Sequence, residues 1–89
     1  MKSKVTKEFL EQFEMLPPKI KEQSRKAYTL WKANPNYPSV HFKRVSKQQP
    51  IFPVRIGIEY RALGLLQEDT LYWFWIGTHA KYDELLRHL

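Results

Sequence analysis

The chain contains no cysteine among its 89 residues. Disulfide bonds and thiolate metal sites are therefore excluded, and the composition fits a reducing compartment. The sequence also lacks a run of about 20 apolar residues that would cross a bilayer. Charged side chains soon after Met1 interrupt any apolar core of a signal peptide. We therefore expect a cytoplasmic protein without a membrane anchor.

Acidic residues are also scarce, with 9 Asp and Glu against 15 Lys and Arg, which gives a formal net charge of +6. Such an excess favours a polyanionic partner. In the first 33 residues lysines alternate with glutamates, and charged helix faces explain them most simply. Between residues 40 and 65 the only acid is Glu59, whereas the basic residues are Lys43, Arg44, Lys47, Arg55 and Arg61.

Motifs for several catalytic classes are missing. The three histidines, His41, His79 and His88, have no paired ligand spacing, so we expect no metal site. The sequence has no phosphate-binding glycine loop, no dinucleotide fingerprint and no nucleophile elbow. A cofactor-dependent enzyme is therefore not expected.

Two amphipathic helices are predicted at the N-terminus. The first has apolar residues at spacings of four, four and three, namely Val5, Phe9, Phe13 and Leu16. Pro17-Pro18 ends this helix, and Pro18 begins a second one that runs to Ala33. The short joint predicts an antiparallel helical hairpin. Residues 1–4 are too short and polar to predict a strand.

After Pro38 the apolar period changes to about two, which predicts strands. The predicted strands are 40–45, 52–56, 60–66 and 70–76. Thr78 can cap a last helix, with Tyr82, Leu85, Leu86 and Leu89 inward. The order predicts a single α+β domain over residues 1–89. In it the N-terminal helical hairpin packs on one face of a three- to four-stranded antiparallel sheet, a short C-terminal helix follows, and the other sheet face is free to bind.

Two arginines are predicted to lie side by side. A turn centred on Ile58 places Arg55 opposite Arg61 on neighbouring strands, where like charges cost up to about 1 kcal/mol. A phosphate between the two guanidinium groups would remove this cost. Ion pairs with Glu59, with Asp69 or with the C-terminal carboxylate are the alternative explanation.

His79 lies at the predicted start of the last helix, where the helix dipole favours an anion. Histidine and arginine side chains are sufficient to cleave RNA through its 2'-hydroxyl without a metal. A plain surface role for His79 is the alternative. Trp73, Trp75 and Tyr60 are candidates for stacking on bases, but core packing explains alternating aromatics better.

Two segments resemble the C-terminal half of RelE/ParE-superfamily toxins of bacterial toxin–antitoxin systems: VRIGIEYRALGLL, and after a polar turn LYWFWIGTHAKYDELL. The Ile-Gly-Thr-His stretch is most similar to YafQ-like and HigB-like members. The resemblance implies a RelE-like fold and a ribosome-dependent mRNA endoribonuclease without a cofactor. It also implies two partners, a cognate antitoxin and mRNA on the ribosome.

The resemblance assigns roles to individual residues. Arg61 would clamp the transition state with Arg55 beside it, and His79 would be the general acid or base. Tyr82 matches the place of a C-terminal catalytic aromatic, with a core role left open. Lys43, Arg44 and Lys47 would hold the RNA backbone.

Two departures leave alternatives open. The N-terminal strand of many family members has no confident match in this chain, and the lysine pair of RelE has no match at 52–56, where only Arg55 is basic. A ParE-like inhibitor of DNA gyrase without nuclease activity, or an inactive member that binds RNA or protein, therefore remain alternatives.

Overall fold

The computed structural model describes residues 1–40 and 42–88. In chain order its elements are β1 (Lys2–Val5), α1 (Lys7–Glu14), α2 (Pro18–Ala33), a 3-10 turn (Pro38–Val40), β2 (Ile51–Ile56), β3 (Tyr60–Gln67), β4 (Thr70–Thr78) and α3 (His79–Leu86). No helix in these two ranges is long and apolar enough to cross a membrane. The expectations for His41, Leu89 and the C-terminal carboxylate lie outside the described residues.

The sheet has four strands in the order β1-β4-β3-β2. This arrangement confirms the α+β fold with an N-terminal helical pair and a C-terminal helix. Strands β2, β3 and β4 are antiparallel, as expected, whereas β1 runs parallel to β4 and makes the sheet mixed. The backbone N–H of Lys2 donates to Asp69 and that of Thr6 donates to Trp73, at 3.0 and 2.9 Å. Such backbone hydrogen bonds stabilise β1 as an edge strand, although its polar side chains show no strand pattern in the sequence.

The strand predicted over residues 40–45 is not formed in its described part. A 3-10 turn ends at Val40, and residues 42–45 are irregular. The segment still lies along the sheet edge, because the Val45 N–H donates to the Ile51 carbonyl at 2.9 Å. Phe42 stacks on Phe52 with ring centres 4.6 Å apart. The alternating pattern therefore reflects packing against β2 rather than strand pairing.

The two N-terminal helices cover one side of the sheet, which we call the first face. The Thr6 hydroxyl caps α1 by accepting from the Phe9 N–H at 3.1 Å. Helix α1 packs mainly on β4 and α2 mainly on β2. The core between them is centred on Trp31, 1% exposed, whose ring meets that of Trp73 edge to face at 5.2 Å.

Helix α3 covers part of the opposite side, the second face, so this face is less open than the sequence suggested. Tyr82 of α3 packs with Ile51 and Leu63 in a separate cluster. A bulge changes the strand pairing here, since Leu63 pairs with Trp75 while Gly64 pairs with Trp73. The bulge places two successive aromatic residues, Phe74 and Trp75, against the second-face cluster.

Candidate functional site

The hairpin between β2 and β3 brings Arg55 and Arg61 together. The two residues are direct partners in the strand register, which confirms the predicted pairing. Gly57 begins the turn with φ of 60°, a left-handed conformation that glycine adopts without strain. Both arginines therefore project from the second face beside the turn.

The turn carbonyls hold both guanidinium groups. The Gly57 carbonyl accepts from Arg55 Nε at 3.1 Å and from Arg61 Nη1 at 3.4 Å. Arg61 Nη1 also donates to the carbonyls of Ile58 and Tyr60, at 3.3 and 2.7 Å. Neither arginine has a carboxylate within 4.0 Å in residues 1–40 and 42–88, and Asp69 is paired with Lys2 instead.

These bonds leave specific donors unused. Among the described residues, no hydrogen bond uses the terminal nitrogens of Arg55, or Nε and Nη2 of Arg61. Either pair of nitrogens has the fork geometry that binds two oxygens of one phosphate.

The arginines line a cavity of about 210 Å³ on the second face. Its other walls are Lys43, Val45, Pro53 and Tyr82. Lys43, Arg55, Arg61 and Tyr82, all singled out from the sequence, are therefore brought to one place. Among the described residues, three cations and no carboxylate line the cavity, and this charge balance favours an anion.

Tyr82 and Arg61 influence each other across the cavity. The pKa of Tyr82 is raised above its usual value, first by burial and then by the nearby Asp83, while Arg61 acts in the opposite direction. The pKa of Arg61 is lowered by burial and by Arg55, and it is partly restored by Tyr82 and Asp83. At neutral pH the cavity therefore combines a protonated phenol with charged guanidinium groups.

His79 lies at the start of α3, next to this cavity. Its backbone N–H donates to the Glu59 carbonyl at 2.6 Å, which ties the helix start to the arginine hairpin. The His79 ring lies 5.9 Å from the Tyr82 ring. Its Nε2 is 3.1 Å from Asp83 Oδ2, and both side chains are about half exposed, at 45% and 50%. Nδ1 is covered and has no hydrogen-bond partner in the described chain, so the ring makes its polar contact through Nε2.

Gly77 lies next to the arginine pair at this end of the sheet. Gly77 of β4 is the partner of Arg61, on the side away from Arg55. A Cβ atom at Gly77 would lie 2.6 Å from Cζ2 of Trp75. The indole ring of Trp75 therefore lies directly over the Gly77 backbone, beside Arg61.

The aromatic candidates for base stacking lie on different faces. Trp73 is only 5% exposed and belongs to the first-face core, and Tyr60 packs against the same core. The core interpretation is correct for both. Trp75 is half-buried on the second face, where it also packs against the α3 cluster.

The remaining basic candidates lie in the loop before β2, outside the cavity wall. Arg44 uses its guanidinium locally, with Nε donating to the Ser46 carbonyl at 2.8 Å and Nη2 to the Lys47 carbonyl at 3.2 Å. The Lys47 side chain is exposed. Arg44 thus shapes the loop that carries Lys43 to the cavity.

Sequence reasoning missed two contributors. The Gly57 carbonyl holds both arginines, but a main-chain acceptor leaves no trace in the residue pattern. Asp83 binds His79 across one helical turn. The spacing of four between these residues on a predicted helix is a signal that was available.

Comparison with known proteins places the chain in a family. The family model described as ParE-like toxin domain matches residues 18–84. No curated protein matches the chain. The chain belongs to the ParE-like toxin domain family, and it is a RelE/ParE-superfamily toxin of the toxin–antitoxin type.

Solved structures share this fold at low sequence identity. The RelB-RelE antitoxin-toxin complex from Methanococcus jannaschii has a TM-score of 0.67 at 14% identity, covering 91% of this chain and 95% of that one. The isolated E. coli RelE toxin has a TM-score of 0.65 at 13% identity, covering 99% and 98%. A copper-bound L66S mutant toxin from Helicobacter pylori has a TM-score of 0.63 at 20% identity, covering 91% and 97%.

Proposed function

We propose that this toxin is a ribosome-dependent mRNA endoribonuclease that uses the RNA 2'-hydroxyl as its nucleophile and needs no metal. The observation that carries the proposal is the arginine pair. Arg55 and Arg61 converge without a carboxylate partner in residues 1–40 and 42–88, and Tyr82 lies in the same cavity. A phosphodiester supplies the anion that this arrangement needs.

The arginines would act on the phosphorus centre. Attack of the 2'-oxygen builds negative charge on the non-bridging phosphoryl oxygens, and fixed cations stabilise that charge. The free Nε/Nη2 edge of Arg61 would bind two of these oxygens, with Arg55 on the other side. Lys43 at the cavity wall would hold a neighbouring phosphate. Arg44 and Lys47 would contribute to the RNA surface through the same loop.

Proton transfer would involve His79 and Tyr82. The 2'-hydroxyl must lose a proton and the 5'-oxygen must gain one. The raised pKa of Tyr82 keeps its phenol protonated, which suits a donor. The accessible nitrogen of His79 is Nε2, so an RNA oxygen would replace Asp83 as its partner. Exposed pairs of this kind contribute at most about 1 kcal/mol, so replacing Asp83 by an RNA oxygen would cost little free energy.

A cognate antitoxin would be the protein partner. Support comes from the family match and from the related fold, which occurs in an antitoxin-toxin complex. An antitoxin segment that carries acidic side chains would neutralise the three cations of the cavity and exclude RNA.

The test is controlled expression in bacteria followed by mapping of mRNA 5' ends. The native chain should cut within codons, and His79→Ala and Arg61→Gln should abolish cutting while far-UV circular dichroism stays unchanged. His88→Ala and Arg87→Gln are matched controls, since both exposed residues lie at the end of α3, beyond the cavity. Cutting that persists in His79→Ala and Arg61→Gln would contradict the proposed site.

Inhibition of DNA gyrase is the second candidate, favoured by the description of the matching family as ParE-like. A purified native chain that blocks supercoiling by gyrase and leaves translating mRNA intact would establish this alternative. In that case His79→Ala should leave toxicity unchanged.

A further inference from the structure

A second, larger cavity lies on the first face, opposite the arginine site. Its volume is about 410 Å³, within the range of roughly 300–1,000 Å³ that small-molecule sites occupy. It lies between α1, which packs on β4, and α2, which packs on β2. Val54, Ala62 and Ile76 form its floor.

The cavity wall is largely hydrocarbon. Phe9 and Phe13 of α1 lie nearly parallel, with centres 6.4 Å apart, and both line it. Ser24 is buried, and its hydroxyl donates to the Ile20 carbonyl at 2.8 Å. The indole nitrogen of Trp73 is covered, so it offers no hydrogen bond to a molecule in the cavity. The wall therefore favours an apolar occupant.

Two basic residues line the cavity, Lys4 and Arg25. The guanidinium of Arg25 is 5.5 Å from the centre of the Phe13 ring. Arg25 has no carboxylate within 4.0 Å in the described chain, whereas Lys21, on the same ring, is paired with Glu14 at 3.6 Å. No acidic residue in the described ranges lines the cavity. The charge pattern therefore suits an apolar molecule with one anionic end.

The shape favours a slim occupant. The Ser3 hydroxyl and the Tyr28 hydroxyl are 2.7 Å apart and join β1 to α2, two walls of the cavity. The cavity of about 410 Å³ has room for about one turn of a helix about 10 Å wide, so a slender unbranched chain suits it better.

We propose that the first-face cavity binds a medium-chain fatty acid or another unbranched acyl carboxylate. The hydrocarbon lies between the two phenylalanine rings and the sheet, and the carboxylate pairs with Arg25. This inference goes beyond the proposed nuclease function and does not depend on it. Arg55 lies between Val54 and Ile56, and Arg61 precedes Ala62, so the strands of the cavity floor also carry the arginine pair on their other face.

Titration calorimetry of the full chain with octanoate, decanoate and dodecanoate, each below its micelle concentration, tests the proposal. The dissociation constant should fall about fourfold for each added methylene until the cavity is full, as expected for about 0.8 kcal/mol per buried CH₂. Decanol should bind more weakly than decanoate. An affinity that does not depend on chain length, or equal binding of decanol, would overturn the proposal.

Substitutions of cavity residues test whether decanoate binds in the first-face cavity. Ala62→Leu should fill the cavity and weaken decanoate binding at least tenfold, and Arg25→Gln should weaken binding of decanoate but not of decanol. Lys26→Gln is the control, because Lys26 is paired with Glu22 at 3.4 Å, away from the cavity wall. Methyl NMR shifts of Val54 and Ile76 in the native chain give the same information if Ala62→Leu misfolds. Shifts confined to other surfaces would overturn the proposal, as would sedimentation showing that a second copy of the chain covers the cavity.

Discussion

Arg55 and Arg61 face each other across β2 and β3, and one carbonyl oxygen, that of Gly57, accepts a hydrogen bond from both. The backbone thus holds two like charges together. Like charges directly opposite each other destabilise a sheet, so the pair should lower stability unless an anion lies between the two guanidinium groups.

Replacing one of the two arginines tests whether their repulsion lowers stability. Arg55→Glu creates an opposite-charge pair with Arg61, so the free energy of unfolding should rise by up to about 1 kcal/mol in urea denaturation. If the proposed nuclease function is correct, RNA cleavage should fall by about 10²–10³-fold, because one donor to the transition state would be lost. Lys47→Glu makes the same charge change at an exposed loop position and should leave stability nearly unchanged. A destabilised Arg55→Glu chain would show that the repulsion is already compensated.

Tyr82 should make stability depend on alkaline pH. Because its folded-state pKa is raised, the folded chain keeps the phenol proton that the unfolded chain releases above about pH 10. Stability should therefore be complete below that pH and decline as the pH rises through the folded value. Urea denaturation of Tyr82→Phe should show a smaller decline over this range. Tyr37→Phe, at an exposed tyrosine, should retain the native decline.

Gly77 should tolerate no side chain while Trp75 remains. Gly77→Ala places a methyl group 2.6 Å from the Trp75 ring, and overpacking of this kind costs about 1–3 kcal/mol. The measurement is the thermal midpoint of single and double variants. Trp75→Leu with Gly77→Ala should lose less than the sum of the two single changes, since the clash is then gone. Strict additivity would contradict the contact.

Gln12 should contribute to the stability of β4. Its Oε1 accepts from the Ile76 N–H at 3.0 Å, at a point of β4 beyond the reach of β1, which pairs only as far as Trp73. Gln12→Ala leaves that N–H without a partner and should cost about 1–3 kcal/mol. Hydrogen exchange of the Ile76 amide should accelerate as well. Glu11→Ala, on the neighbouring exposed position of α1, should change neither quantity.

Most of the fold follows from apolar periodicity and proline positions. Pro17-Pro18 separates α1 from α2, and the turn at Ile58 correctly predicts the partners of the arginine hairpin. Strand β1 could not be predicted from its side chains, because its stability comes from backbone hydrogen bonds to β4. Residues 42–45 were wrongly predicted as a strand, since their apolar residues alternate like those of a strand although the segment packs on β2 without forming a strand.

The part of the candidate site that depends on charge and on strand register was predictable from the sequence. Arg55, Arg61, Lys43 and Tyr82 meet in one cavity. Tyr82 is 9% exposed, packs with Leu63 and also lines the cavity, so it has the contacts of a core residue, and its catalytic role stays a prediction. Contacts made by carbonyl groups and by loops far apart in the chain have no local pattern, so the Gly57 acceptor could not be foreseen.

The pairing of β1 with β4 joins the first strand of the chain to the last. On a translating ribosome, β1 must wait unpaired until Thr70–Thr78 has been synthesised and has left the exit tunnel. The helices can form earlier, because their contacts are local. We therefore expect the sheet to remain incomplete until β4 has left the tunnel, at a time when α1 and α2 are already able to form.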